Sequence, residues 1–182
     1  MSEYTLLLVD DEESVLRALR RLFREDGYRI FTATDADQAL AVMAAEPVQL
    51  VISDFRMPGR DGVQLLKEIK VRWPETIRIM LTGYTDIDSI MAAVNEGAVY
   101  KFITKPWNDE DLRLTVRLAR EQYSLRRENR ELKMLAERQA AKLDKGRNRL
   151  GEDHGGAGRS AAAGRGACSR TTDGGPPGAA GG

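Results

Sequence analysis

The stretch TLLLVDDEE, residues 5–13, decides the fold. Five consecutive residues with no polar–apolar alternation mark a strand covered on both faces, the kind found inside parallel sheets. Four acids then end it. Val15, Leu16, Leu19, Leu22 and Phe23 follow at helical spacing, and Gly27 closes the segment. A buried strand, an acidic turn and an amphipathic helix make the first βα unit.

The same rhythm recurs along the chain. Tyr28–Ala33 reads as a second strand and Asp35–Ala45 as a helix capped by Asp35. Leu50–Ser53 is a third strand ending on Asp54, and Val63–Trp73 a helix stopped by Pro74. Ile77–Leu81 ends on Thr82, and Asp86–Glu96 is a helix closed by Gly97. Lys101–Thr104 is a fifth strand followed by Lys105-Pro106, and a last helix opens near Asn108. This predicts an α/β, doubly wound, five-stranded parallel sheet. Strand two alone ends on no reactive group, which suits the outer edge of a flavodoxin-like order 2-1-3-4-5.

Ligands of such sheets bind beyond the carboxyl ends of the strands. Asp10 and Asp11 follow strand one, Asp54 ends strand three, Thr82 ends strand four and Lys105 follows strand five. Crowded carboxylates repel, and a hard divalent cation removes that repulsion. Mg²⁺ prefers oxygen ligands and often shares its shell with a phosphate. Asp54 is the best-placed carboxylate to act as nucleophile, with Lys105 and the Thr82 hydroxyl beside it.

The segments LLLVDDEE, VISDFRMPGRDG, IMLTGYTD and GAVYKFITKPW closely resemble the receiver domain of two-component response regulators. The resemblance spans about residues 4–120. It implies that Asp54 accepts a phosphoryl group from the phosphohistidine of a sensor histidine kinase. It implies Mg²⁺ bound by Asp11 and Asp54 through carboxylates, by Arg56 through its backbone carbonyl, and by Asp10 through a bound water. Thr82 and Lys105 would hold phosphoryl oxygens, Phe102 would be the switch aromatic, and Lys105–Pro106 would be cis. The output face would be helix four, strand five and helix five. Arg56 and Tyr84 occupy the two positions on which phosphoryl lifetime depends in this family. Both are large, so a long lifetime is expected. Arg60 stands where an apolar residue is common.

The composition divides the 182 residues into a receiver (1–120), a helical extension (121–150) and a Gly/Ala-rich tail (151–182). Residues 1–107 carry 13 basic and 17 acidic side chains, whereas residues 108–150 carry 12 and 8. In the extension, Leu118, Leu125 and Leu132 alternate with Asn129, Ala136 and Leu143 as positions d and a of a short coiled coil, which predicts a homodimer. Gln122 and Gln139 weaken that seam, and a single solvated helix is the alternative. The tail has 11 glycines and no large apolar residue, so it is expected to be disordered, either natively or through an altered reading frame.

Several classes are excluded or disfavoured. One histidine (His154) and one cysteine (Cys168) exclude a disulfide framework and a Cys/His metal site. No apolar run approaches the ~20 residues that span a bilayer. No secretory signal opens the chain, so a cytoplasmic protein is expected. The extension lacks a dense basic block, which disfavours direct nucleic-acid binding. The chain shows neither GxxxxGK[ST] nor a helix-turn-helix, so it reads as a stand-alone receiver or as a truncated member of a longer regulator. A phosphorylation-independent pseudo-receiver scaffold is the rival reading.

Overall fold

The computed structural model describes residues 4–83 and 86–152. Its strands are β1 (Thr5–Val9), β2 (Arg29–Ala33), β3 (Leu50–Asp54), β4 (Ile77–Thr82) and β5 (Lys101–Thr104). They pair in parallel in the order β2-β1-β3-β4-β5. Every residue of β1, β3 and β4 is buried, whereas β2 and β5 are partly exposed. The continuous apolar runs therefore take the centre, where both faces are covered, and the mixed runs take the edges.

Helices α1 (Glu13–Phe23) and α5 (Asp109–Glu152) bury Leu16, Leu19, Leu22, Phe23, Leu112 and Val116 against Leu6, Leu8, Ile52 and Ile79. Helices α2 (Ala36–Ala45), α3 (Gly62–Arg72) and α4 (Ile87–Asn95) cover the other face, against Leu7, Val51 and Met80. Alternate residues of one strand thus serve two cores, as the pleat requires.

Local chemistry sets the boundaries, and several differ by a residue or two from those read in the sequence. Asp61 and Gln64 form a capping box, so α3 opens at Gly62, and Trp73 becomes its C-cap. Asp86 precedes α4 as N-cap but makes no capping bond, because its carboxylate is committed to Arg56. Glu12 likewise opens α1 without a side-chain cap. Asp35 does cap α2, accepting from the Gln38 N–H.

Arg78 is buried within β4. Its guanidinium donates to the carbonyls of Ala98 (2.8 Å) and Gly97 (3.2 Å), and also to that of Thr76. Burial lowers its pKa to about 10, so it remains a cation at neutral pH. A buried cation surrounded by carbonyls joins β4 to the turn before β5.

By its contacts the chain divides into two units, Met1–Ala136 and Glu137–Gly182. Helix α5 passes residue 120 without a break and ends at Glu152. Residues 151 and 152 are therefore helical; the rest of the expected tail, 153–182, lies outside the described residues. In the first unit, α5 is fastened beyond the sheet. Tyr4 hydrogen-bonds Ser124, its ring meets Tyr123 edge-on at 6.3 Å, and Glu75 pairs with Arg130.

Among the described glycines, Gly62 has the closest neighbours. A Cβ there would lie 2.1 Å from the Asp54 carbonyl oxygen. Its N–H donates to the Phe55 carbonyl at 2.9 Å. Only a residue without a side chain lets α3 approach the end of β3 this closely. We predict that Gly62→Ala lowers unfolding free energy in urea by about 2–3 kcal/mol, the scale of an overpacked interior. Gly146→Ala, which meets open space, leaves it unchanged or slightly raised. Equal curves for Gly62→Ala and wild type would contradict this account.

Candidate functional site

Parallel pairing brings the carboxyl ends of β1, β3, β4 and the turn after β5 to one rim. Carboxylate oxygens of Asp10, Asp11 and Asp54 lie within 4.8 Å of one another. Asp10 is fully buried and Asp54 nearly so, whereas Asp11 is exposed. Lys105 Nζ lies 2.8 Å from Asp10 Oδ2 and 3.0 Å from Asp54 Oδ1. One ammonium thus joins the acid that follows β1 to the acid that ends β3.

The backbone holds these groups in place. Asp10 Oδ1 accepts from the Glu12 N–H at 2.9 Å. The Phe55 N–H donates to the Leu81 carbonyl at 2.9 Å, continuing the ladder just past Asp54. The Lys105 N–H donates to the Thr82 carbonyl at 2.7 Å, which fixes the start of the lysine turn. The Lys105–Pro106 peptide is cis, as the resemblance implied.

Electrostatics follows from burial. Burial raises the Asp54 pKa above the usual carboxylate range; the Asp10 charge adds to this, and Lys105 opposes it. For Lys105, burial pulls the ammonium down, but its bonds to Asp10 and Asp54 outweigh it and the pKa is raised. The ionised Asp54 is therefore under-compensated even with its lysine partner. Three oxygens from clustered carboxylates form a hard donor set, which fits a divalent cation such as Mg²⁺.

The other expected residues fall in different places. Thr82 is buried at the end of β4, and its hydroxyl donates to the Gly83 carbonyl at 3.0 Å. Phe102 is half-buried and packs against the core beneath α2–α4. The Arg56 side chain turns to Asp86, with Nε 3.0 Å from Oδ2 and an Nη 2.7 Å from Oδ1. Arg60 pairs with Glu68 on α3. Tyr84 lies outside the described residues. Leu118, Leu125, Leu132 and Leu143 are exposed on α5, as are Asn129 and Ala136.

Two contributors were missed in the sequence. Asp86 was read only as a helix start, although an acid in the turn after Thr82 was a usable signal. Gly62 carries no chemistry of its own, and nothing in one sequence marks it out from the neighbouring Gly59.

A family model described as the response regulator receiver domain matches residues 6–117. The hydrogenase transcriptional regulatory protein HoxA of Cupriavidus necator is 46% identical over 121 residues, 66% of this chain and 25% of its own. The nitrogen assimilation regulatory protein NtrX of Azorhizobium caulinodans is 39% identical over 136 residues, 74% of this chain and 30% of its own. The crystal structure of the signal receiver domain of an HD domain-containing protein from Pseudomonas fluorescens superposes with a TM-score of 0.65 at 41% identity. That match covers 68% of this chain and 98% of that one. The chain thus spans roughly a quarter of the length of the curated relatives it matches.

The raised Asp54 pKa has a testable sign. The folded chain holds this proton more tightly than the unfolded chain, so ionisation costs stability as pH rises past the ordinary carboxylate range. Asp54→Asn removes that cost. Its melting temperature at neutral pH without divalent ions should exceed that of wild type by a few degrees, since each kcal/mol shifts a small domain by ~4–8 °C. A lower melting temperature for Asp54→Asn would overturn this electrostatic picture.

Proposed function

The chain belongs to the response regulator receiver family of two-component systems, and from that membership we propose that it is a phosphorylation-dependent switch built on Asp54. Regulators of this family interact with histidine kinases. In the proposed reaction an Asp54 carboxylate oxygen attacks the phosphorus of a kinase phosphohistidine. The P–N bond breaks as the P–O bond forms, and the imidazole nitrogen keeps the electron pair. Catalysis is positioning and electrostatics: Lys105 offsets charge on the transferred group, and the cores on both sides hold Asp54 in place. Asp10, Asp11, Asp54 and the Arg56 carbonyl would hold Mg²⁺, which supplies Lewis-acid neutralisation of the phosphoryl oxygens. The observation that supports this reading best is the Lys105 bridge between Asp10 and Asp54, residues far apart in sequence.

The new phosphoryl oxygens would draw the Thr82 hydroxyl from the Gly83 carbonyl. The space left would admit Phe102, now half-buried, and bias the surface of α4, β5 and α5. Arg56, tethered by Asp86 beside the acceptor, would impede the hydrolytic water together with Tyr84. The test is acetyl phosphate and magnesium chloride followed by intact mass. Wild type should gain one phosphoryl group and Asp54→Asn none. In a chase, Arg56→Ala and Asp86→Ala should each shorten the lifetime several-fold. Failure of wild type to label would support the pseudo-receiver scaffold instead, and unchanged lifetimes would remove Arg56 from the mechanism.

Residues 1–120 would act as the receiver and 121–150 as a helical extension within a longer regulator whose output lies elsewhere. A kinase-fed receiver would act in the cytoplasm; no described helix is long and apolar enough to cross a membrane. A second copy is the proposed partner of the extension. Leu125 is 61% exposed and Leu132 66%, at coiled-coil spacing around Asn129. Leu125→Glu with Leu132→Glu should convert a dimer to a monomer in sedimentation equilibrium. A wild-type monomer at high concentration would dismiss the coiled coil.

A further inference from the structure

We propose that the arginine-walled groove between α1 and the start of β2 is a docking site for an acidic segment of a partner protein that carries an aliphatic anchor. Arg17, Arg20, Arg21 and Arg24 line this groove of about 520 Å³, with Tyr28 and Ile30 beneath them. All four arginines are exposed. Among the described residues, no ion pair joins any of them to a carboxylate.

Their spacing makes the cluster unfavourable in isolation. Arg17 with Arg21, and Arg20 with Arg24, are like charges one helical turn apart; Arg17 with Arg20, and Arg21 with Arg24, are nearly so. The negative end of the α1 dipole accounts for Arg20 and Arg21 in the last turn. It leaves Arg17 unexplained, as well as the concavity the four residues share. A second row on α5 adds to the field. Arg117 and Arg120 both act on the Tyr28 hydroxyl. Arg113 does not contribute, because Asp26 neutralises it at 3.4 Å and the Leu22 carbonyl accepts from it at 2.8 Å.

The chemistry favours carboxylates on a peptide. Every cation here is arginine, whose planar fork matches a carboxylate in two parallel hydrogen bonds. A nucleic acid fits less well. Tyr28 is engaged edge-to-face with Phe23 at 6.0 Å, so its ring is not an open stacking platform. The α1 row spans only ~10 Å at 1.5 Å per residue. Ile30 is half-buried on β2, the outer strand of the sheet, and offers a small apolar floor.

The position keeps this surface apart from the phosphoacceptor. Helix α1 starts beside Asp10, and the groove opens at Arg17, ~6 Å along the helix, and runs ~10 Å further away from that start. A partner seated there leaves the Asp54 rim open, so this inference stands independently of phosphoryl transfer.

The test uses the full chain and a fluorescein-labelled synthetic peptide of glutamates around a central leucine, read by anisotropy at physiological salt. Wild type should bind it, and Arg17→Gln/Arg21→Gln/Arg24→Gln should weaken binding about tenfold or more. The matching triple Lys variant, which keeps the charge, should lose several-fold, because the fork is gone. Ile30→Ser should weaken the leucine peptide and leave an all-polar glutamate peptide unaffected. Circular dichroism checks that each variant is folded. Equal affinity of wild type and the Gln variant overturns the proposal. So does equal binding of the leucine-free peptide to wild type, which would mean charge alone. Tighter binding of a short oligothymidylate through the same arginines would assign the groove to nucleic acid instead.

Discussion

The site depends on two carboxylates that cannot share one small space without a positive charge between them. Asp10 and Asp54 end neighbouring strands of the sheet, and parallel pairing forces their side chains to the same rim. Lys105 Nζ, within 3.0 Å of both, is the cation this chain supplies. It compensates incompletely, and the Asp54 pKa stays raised. That residual imbalance makes the rim receptive to a hard cation and gives the proposed acceptor its character. The same ammonium pins the turn after β5, so the charge balance at the rim and the position of β5 are coupled.

Around this cluster, the fold uses close approach rather than extra chemistry. Gly62 lets α3 press against the Asp54 carbonyl, and the Asp61–Gln64 box starts the helix there. Across the rim, Arg56 and Asp86 tie the loop after β3 to the start of α4. The two loops that flank Asp54 are therefore connected, and a change of charge on Asp54 would be felt at α4 through Arg56. At the other end of the sheet, Tyr4–Ser124 and Glu75–Arg130 fix α5 to the domain. That leaves the leucines at 118, 125 and 132 exposed on the same helix.

Much of this was legible in one sequence, for a physical reason. Central parallel strands must be apolar on both faces, so TLLLV and LVIS announce themselves, and each ends abruptly where the chain meets water. The terminating residues Asp10, Asp54, Thr82 and Lys105 are the candidate site residues, because the rule for open α/β sheets places ligands at those ends. The spacing of the α5 leucines was legible in the same way, and the structure leaves Leu118, Leu125 and Leu132 exposed.

Other features existed only in three dimensions. Arg78 is a cation inside β4, and it is buried because three carbonyls close over its guanidinium. Asp86 reads as a helix start, yet it serves Arg56, 30 positions away. The arginines of α1 are four separate exposed charges in the sequence, and only the placement of Tyr28 and Ile30 beside them makes a groove. Periodicity and strand endings are local properties of a chain, so the sequence by itself determined the elements, their order and the acids at the rim. Pairing between distant residues depends on which backbones come within hydrogen-bonding reach, and only the tertiary structure decided that.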